Sequence, residues 1–197
     1  SSNLKGQVES ITEPDSVKFS KEVVKVLRTN TTCSKTKGVF MSCACHMPHM
    51  RLKNAKDTFD STKSIEQARI QLEKDFRTDI KFNKNLTDEQ VEDIIKKGWG
   101  LAGTYDGGKI VATKIPSFFH EYFEEPDEVT RKYYYCHCPR VRKELLNGKN
   151  LDPVYCYCGG GFYKDVWEYI TGKNVNIKLL KSLFKDDDVC QFEISFD

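Results

Sequence analysis

No run in this sequence approaches the ~20 consecutive apolar residues that a membrane-spanning helix needs. Charge of one sign is also lacking: 31 Lys and Arg stand against 29 Asp and Glu, and the two are well mixed. The first absence predicts a chain without membrane contact. The second argues against the basic face that nucleic-acid binding requires. The N-terminus shows no charged start, apolar run and cleavage site of a secretory leader. The expected compartment is therefore the reducing cytoplasm. A nucleotide fingerprint, a nucleophile elbow and a His-Glu zinc motif are missing too, so no motif names a reaction. No internal repeat is visible beyond a recurring Cys-x-Cys.

Cysteine, by contrast, is abundant, with eight residues in 197. Four form the matched pairs Cys136-His137-Cys138 and Cys156-Tyr157-Cys158, and a third pair, Cys43-Ala44-Cys45, runs directly into His46. In extended backbone, residues i and i+2 face one side about 6.5 Å apart, so two such thiolates can converge on one ion. On a helix the same pair diverges by roughly 200°, because each residue turns about 100°. Chelation thus predicts strand or turn geometry at 136/138 and 156/158. The 17 residues between Cys138 and Cys156 leave room for a helix and a return. Cys136, Cys138, Cys156 and Cys158 are accordingly candidate ligands of a closed zinc site, with an iron–sulfur cluster as the alternative occupant. Disulfides, redox use and simple packing of small apolar thiols are the competing readings. Cys33, Cys43, Cys45 and His46, with His49 nearby, form a second candidate set, either a separate metal site or a loop with a reactive thiol.

A hydrophobic content of 39% and an aromatic content of 12% are those of a folded protein. Phe19, Val23, Val26 and Leu27 predict a helix from Ser16 to about Thr29, with Ser16 as its cap. Cys33 to Met50 reads as a loop. A second helix is expected over Ser61 to Asp79. Thr87 with Gln90 makes a capping box, and Leu86 with Val91 a hydrophobic staple, for a helix ending at Gly98. Lys109 to Thr113 reads as a short strand, and Pro116 opens an aromatic-faced helix. Beyond Arg131, Lys132 to Cys138 reads as a strand and Pro153 to Cys158 as extended chain. Gly159-Gly160-Gly161 then leads into a helix capped by Gly172, and Val175 to Phe184 pairs with Val189 to Phe196 as a hairpin. The fold class expected is α+β. A mostly helical part (1–130) with a Cys/His loop at 33–49 precedes a strand-helix-hairpin unit (131–197) around the thiol-rich site, the two forming one compact domain.

The glycine run before its helix is read as a tight turn, with an anion cradle as the alternative. His120, Tyr135, Tyr163 and Trp167 are candidates for lining a ligand pocket; core packing is the competing reading of each.

From Tyr133 to Phe196 the chain resembles a C-terminal pattern carried by Cys138-Pro139, a central Cys156 or Cys158, and Asp187-Asp188-Val189-Cys190-Gln191-Phe192-Glu193-Ile194. It looks like the 4-vinyl reductase type of small-molecule-binding domain and the related L-2-amino-thiazoline-4-carboxylate hydrolase-like proteins. The resemblance implies zinc held by the central cysteine and the closing Cys190. Leu179 and Ser182 stand where that type has its glutamate and further cysteine. The expected function is a cytoplasmic zinc–thiolate protein that binds a small molecule in an aromatic-lined cavity. A hydrolase of a small sulfur- or nitrogen-containing substrate, using metal-bound water or a reactive cysteine, is the alternative. A redox or metal-handling protein is the third.

Overall fold

The computed structural model describes residues 16–148 and 151–197. Its first helix, α1 (Ser16–Asn30), buries Val24 and Leu27. The stretch expected as a loop begins instead with a helix, α2 (Cys33–Ser42). Thr32 caps it by accepting a hydrogen bond from the Lys35 N–H at 3.3 Å, and Thr36 and Phe40 are its buried residues. A local cap and one buried ring thus outweigh the polar composition that suggested a loop. Only Cys43 to Pro48 is irregular, before a single 3₁₀ turn (His49–Leu52).

The helix expected over 61–79 is α4 (Ile65–Lys84), and a further helix that was not expected, α3 (Lys53–Thr62), precedes it. Lys63 breaks them apart in left-handed backbone (φ 54°), and Ser64 restarts the chain by capping the Gln67 N–H. The capping box at Thr87 and Gln90 opens α5 (Asp88–Lys96), with both reciprocal hydrogen bonds present. Leu86 and Val91 bury into the same small cluster as Phe76, Ile80, Ile94 and Phe119. Gly98 follows with φ 66°.

A hairpin, β1 (Thr104–Asp106) and β2 (Lys109–Thr113), leads to the short aromatic helix α6 (Phe119–Glu124). The strand expected over 132–138 is a helix instead, α7 (Glu128–Tyr135). Asp127 caps it through the Thr130 N–H at 2.8 Å, and Glu128 pairs with Lys132 at 2.6 Å one turn on. Those local bonds override the strand preference of three consecutive tyrosines. Beyond Tyr135 the chain is extended at Cys136 (φ −68°, ψ 123°). A 3₁₀ turn (Arg142–Leu145) follows, and Gly148 turns with φ 95°.

Pro153 to Cys158 is helical rather than extended. Pro153 opens a 3₁₀ turn (Pro153–Cys156) that runs directly into α8 (Tyr157–Thr171). Proline in a first helical turn is pre-set for this path. The glycine run lies inside α8 and makes no turn. A Cβ at Gly161 would stand 2.0 Å from the Met41 carbonyl oxygen of α2, and one at Gly160 2.8 Å from Ile177 Cγ2. Glycine lets α8 pass between α2 and the sheet at a distance no side chain permits. Val166, Trp167 and Ile170 bury completely, and Gly172 caps the helix with φ 65°.

The final hairpin pairs β3 (Val175–Lys181) with β4 (Gln191–Phe196), and a 3₁₀ turn (Leu183–Lys185) sits between them. The described strands form one antiparallel sheet in the order β1-β2-β4-β3, with Ala112 opposite Phe192 and Ile110 opposite Ile194. Phe192 and Ile194 are fully buried on one face, as period-two alternation requires. The fold is α+β, with the sheet in the C-terminal part and a helical N-terminal region. One apolar cluster draws on both: Leu27, Phe40, Leu52 and Leu72 share it with Trp167, Leu183 and Ile194.

Candidate functional site

Between α1, α2, α4 and the sheet end of α8 lies a cavity of about 620 Å³. Phe40, Phe162, Tyr163, Phe192 and Ile115 give it an apolar wall, and six cysteines open onto it: Cys43, Cys45, Cys138, Cys156, Cys158 and Cys190. A smaller depression of about 300 Å³ beside Tyr122, Arg131 and Asp188 carries no thiol.

The four sulfurs expected to share an ion therefore gather in one region, by a different geometry from the one expected. Cys136 is buried just behind the wall, while Cys138, Cys156 and Cys158 line it. Cys156 and Cys158 stand on helical backbone, so they leave α8 in different directions. Cys158 Sγ approaches the Cys43 carbonyl oxygen at 3.6 Å. Cys156 Sγ accepts from Ser182 Oγ at 3.1 Å and is hydrogen-bonded to Cys190. No group of three or more His, Cys, Asp or Glu among the described residues is arranged as a ready metal shell.

The second candidate set is split. Cys43 and Cys45 face the cavity, and all of α2 separates them from Cys33, which is exposed beside Arg28 with Nη1 3.5 Å from its sulfur. His46 turns away from the cavity to Asp165 of α8, with Nδ1 3.2 Å from Oδ1. His49 approaches the other oxygen of that carboxylate at 3.5 Å. Of the four pocket candidates only Tyr163 lines the cavity. Its hydroxyl donates to the Gly100 carbonyl at 3.2 Å, and burial raises its pKa. Tyr135 is a fully buried brace: its hydroxyl donates to the Lys114 carbonyl (2.5 Å) and accepts from the Cys190 N–H (3.1 Å). Trp167 is core, edge-on to Phe196 at 5.7 Å, and His120 is exposed.

Burial sets the state of the thiols. Loss of water pushes Cys136 up to about 12, with the neighbouring Cys190 adding to it. Burial also pushes Cys158 up to about 11, reinforced by Cys138. The hydrogen bond to Cys190 and burial raise Cys156. Cys190 is lowered, because it receives the Cys156 hydrogen bond and the Leu183 backbone hydrogen bond and feels the Lys114 charge. Next to them His137 is pushed down to about 4 by desolvation in the concave wall and by Lys114, and its Nε2 lies 2.6 Å from the Ile115 carbonyl.

Lys114 is the site residue that sequence reasoning did not place, whereas Cys190 entered as the closing cysteine of the family resemblance. The alternation of β4 already put Cys190 on the core side, which was the available signal. Lys114 carries none, since it follows β2 as an ordinary charged residue.

A family model described as a family of unknown function (DUF6144) matches residues 119–197. That segment supplies four of the six lining cysteines, Cys138, Cys156, Cys158 and Cys190, but neither Lys114 nor Cys43 and Cys45. No curated protein and no solved structure matches the chain.

Proposed function

We propose that this protein binds a small molecule in the thiol-lined cavity. The observation that carries the reading is the cavity itself: about 620 Å³, walled by aromatic rings and opened on by six cysteines from separate stretches of chain. That size falls within the ~300–1,000 Å³ of ordinary ligand sites, and an apolar wall with few polar groups is their usual make-up. The likeness to 4-vinyl reductase-type domains adds a second support, because both candidates for its central position, Cys156 and Cys158, and its closing Cys190 line this cavity. Free thiols at all eight positions suit a reducing compartment, which we propose to be the cytoplasm. Among the described residues no helix is long and apolar enough to cross a membrane.

Zinc belongs to the same proposal. Sulfur donors suit the ion, and the set the spacing suggested, Cys136, Cys138, Cys156 and Cys158, would hold it only after Cys156 and Cys158, which leave helical backbone in different directions, turn toward one point. When bound, it would draw these thiols into the thiolate state and fix one wall of the cavity.

The test uses the full chain purified under reducing conditions. The uncharged fluorophore N-phenyl-1-naphthylamine is expected to bind one site per chain, and Val39→Trp, at the cavity wall, is expected to abolish that binding while leaving the circular dichroism spectrum unchanged. Probe binding unaffected by Val39→Trp sinks the reading. Elemental analysis and thiol counting on the same sample are expected to find one zinc and about four unreactive thiols per chain; full thiol reactivity without metal removes the zinc part. Cys190, which opens onto the cavity and receives the Cys156 hydrogen bond, favours a second reading, hydrolysis through a reactive cysteine. Peptide mapping after iodoacetamide treatment of metal-free protein decides it, since a nucleophilic Cys190 is alkylated before Cys136 and Cys158.

A further inference from the structure

We infer that the ligand is a hydrophobic organic acid whose carboxylate is held by Lys114; the inference rests on the cavity being a ligand site and names what it takes. The Lys114 backbone is fixed on both sides. Its N–H donates to the Cys190 carbonyl at 3.0 Å, and its own carbonyl accepts the Tyr135 hydroxyl at 2.5 Å. The side chain is steered as well. It lies over Gly159, where an added Cβ would stand 3.0 Å from both Lys114 Cε and Phe192 Cζ. Its ammonium ends 5.3 Å from the centroid of the Phe162 ring, on the cavity wall.

This cation has no carboxylate within ion-pair reach among the described residues. Its titratable neighbours in the wall are His137, Cys158 and Cys190. The whole wall leans the same way. Arg51, Lys84, Lys114 and Arg140 line it against a single described carboxylate, Asp79, and Asp79 is already paired with Arg51. Lys84 lies over the Phe119 ring, and Arg140 is hydrogen-bonded to the Tyr155 hydroxyl. Chain-wide the charges nearly cancel, so this local excess is a property of the cavity.

An ammonium set into aromatic and sulfur-bearing surface loses much of its hydration, and a ring face offsets only part of that loss. A carboxylate arriving with an apolar body restores the missing partner and fills the remaining volume. A cationic ligand meets repulsion instead, and a neutral one leaves the ammonium unsatisfied. With Arg51 engaged by Asp79 and Arg140 by the Tyr155 hydroxyl, one positioned ammonium suits a monocarboxylate better than a phosphate dianion.

The experiment displaces N-phenyl-1-naphthylamine from the full chain with octanoate or with octan-1-ol, ligands alike in chain and different in charge. Wild type is expected to release the probe at about tenfold lower octanoate than octanol, the scale of one charge-assisted hydrogen bond. Lys114→Gln is expected to keep probe binding and lose that preference, while Lys114→Arg retains most of it. Equal potency of the two ligands on wild type, or an octanoate preference that survives Lys114→Gln, overturns the acid inference and leaves the cavity reading in place. Failure of the probe to bind wild type removes both.

Discussion

Asp152 ties distant parts of the chain through one carboxylate. Arg28 of α1 grips it in a fork, Nε to Oδ2 at 2.9 Å and Nη2 to Oδ1 at 3.1 Å, while the Val154 N–H donates to Oδ1 at 2.8 Å and starts the 3₁₀ turn into α8. Burial raises the carboxyl pKa, but the Arg28 and Val154 hydrogen bonds outweigh it and hold the group below its ordinary 3.8. A carboxyl lowered by folding stabilises the native state above the unfolded pKa, and that contribution is lost as pH falls through the folded value. Asp152→Ala is expected to cost about 1 kcal/mol at pH 7, mostly the lost cap because the ion pair is partly in water. Urea unfolding checks this, and the gap to wild type should close below about pH 3.8. At this scale the sequence was legible in part. The Cys-x-Cys spacing drew attention to sulfurs of which Cys43, Cys45, Cys138, Cys156 and Cys158 line one cavity. It gave no hint that Ser182 would meet Cys156 or that Lys114 would cross Gly159, since both contacts join residues more than twenty positions apart.

Helices and strands were read well where their ends carry local chemistry. Thr87 and Gln90 announce α5 because the capping box closes within four residues, and β4 shows in plain alternation. Errors fell where a local preference and a local bond disagreed. Three tyrosines favour a strand, yet the Asp127 cap, the Glu128–Lys132 pair and a further Lys132–Asp188 contact at 3.0 Å favour the helix that forms. The glycines of α8 misled for a related reason: their value lies in what passes beside them, which only the packed chain reveals. Gly161 and Gly38 separate the two roles. Gly161→Ala must push Met41 backbone aside from 2.0 Å and is expected to cost about 3 kcal/mol or more. Gly38, in α2 with nothing within 4 Å of its added Cβ, is expected to gain up to about 1 kcal/mol as alanine. Thermal melting of the two single variants should move in opposite directions; equal shifts would show that α2 and α8 do not cross this closely.

For the molecule as a whole, the boundary drawn near residue 130 marks a change of texture and not a break in the core. Leu27, Phe40 and Leu72 share their cluster with Trp167 and Ile194, and β4 has β2 along one edge and β3 along the other. The segment 119–197 on its own lacks β2, including the fully buried Ile110 and Ala112, and lacks the α2 backbone that faces Gly161. It is expected to show no cooperative unfolding transition by circular dichroism, whereas the full chain melts in one step. A sharp transition in the fragment would make the C-terminal unit an independent domain.

The six cysteines around the cavity come from four separate stretches of chain, drawn together from loops, a helix start and a strand edge. Until the chain has folded, nothing tells one sulfur from another, and eight thiols allow about a hundred complete pairings. Air oxidation that outruns folding would lock most molecules into a wrong one. This architecture therefore makes reductant a condition of correct maturation, and ties the quality of any preparation to the order in which shape and oxidation arrive.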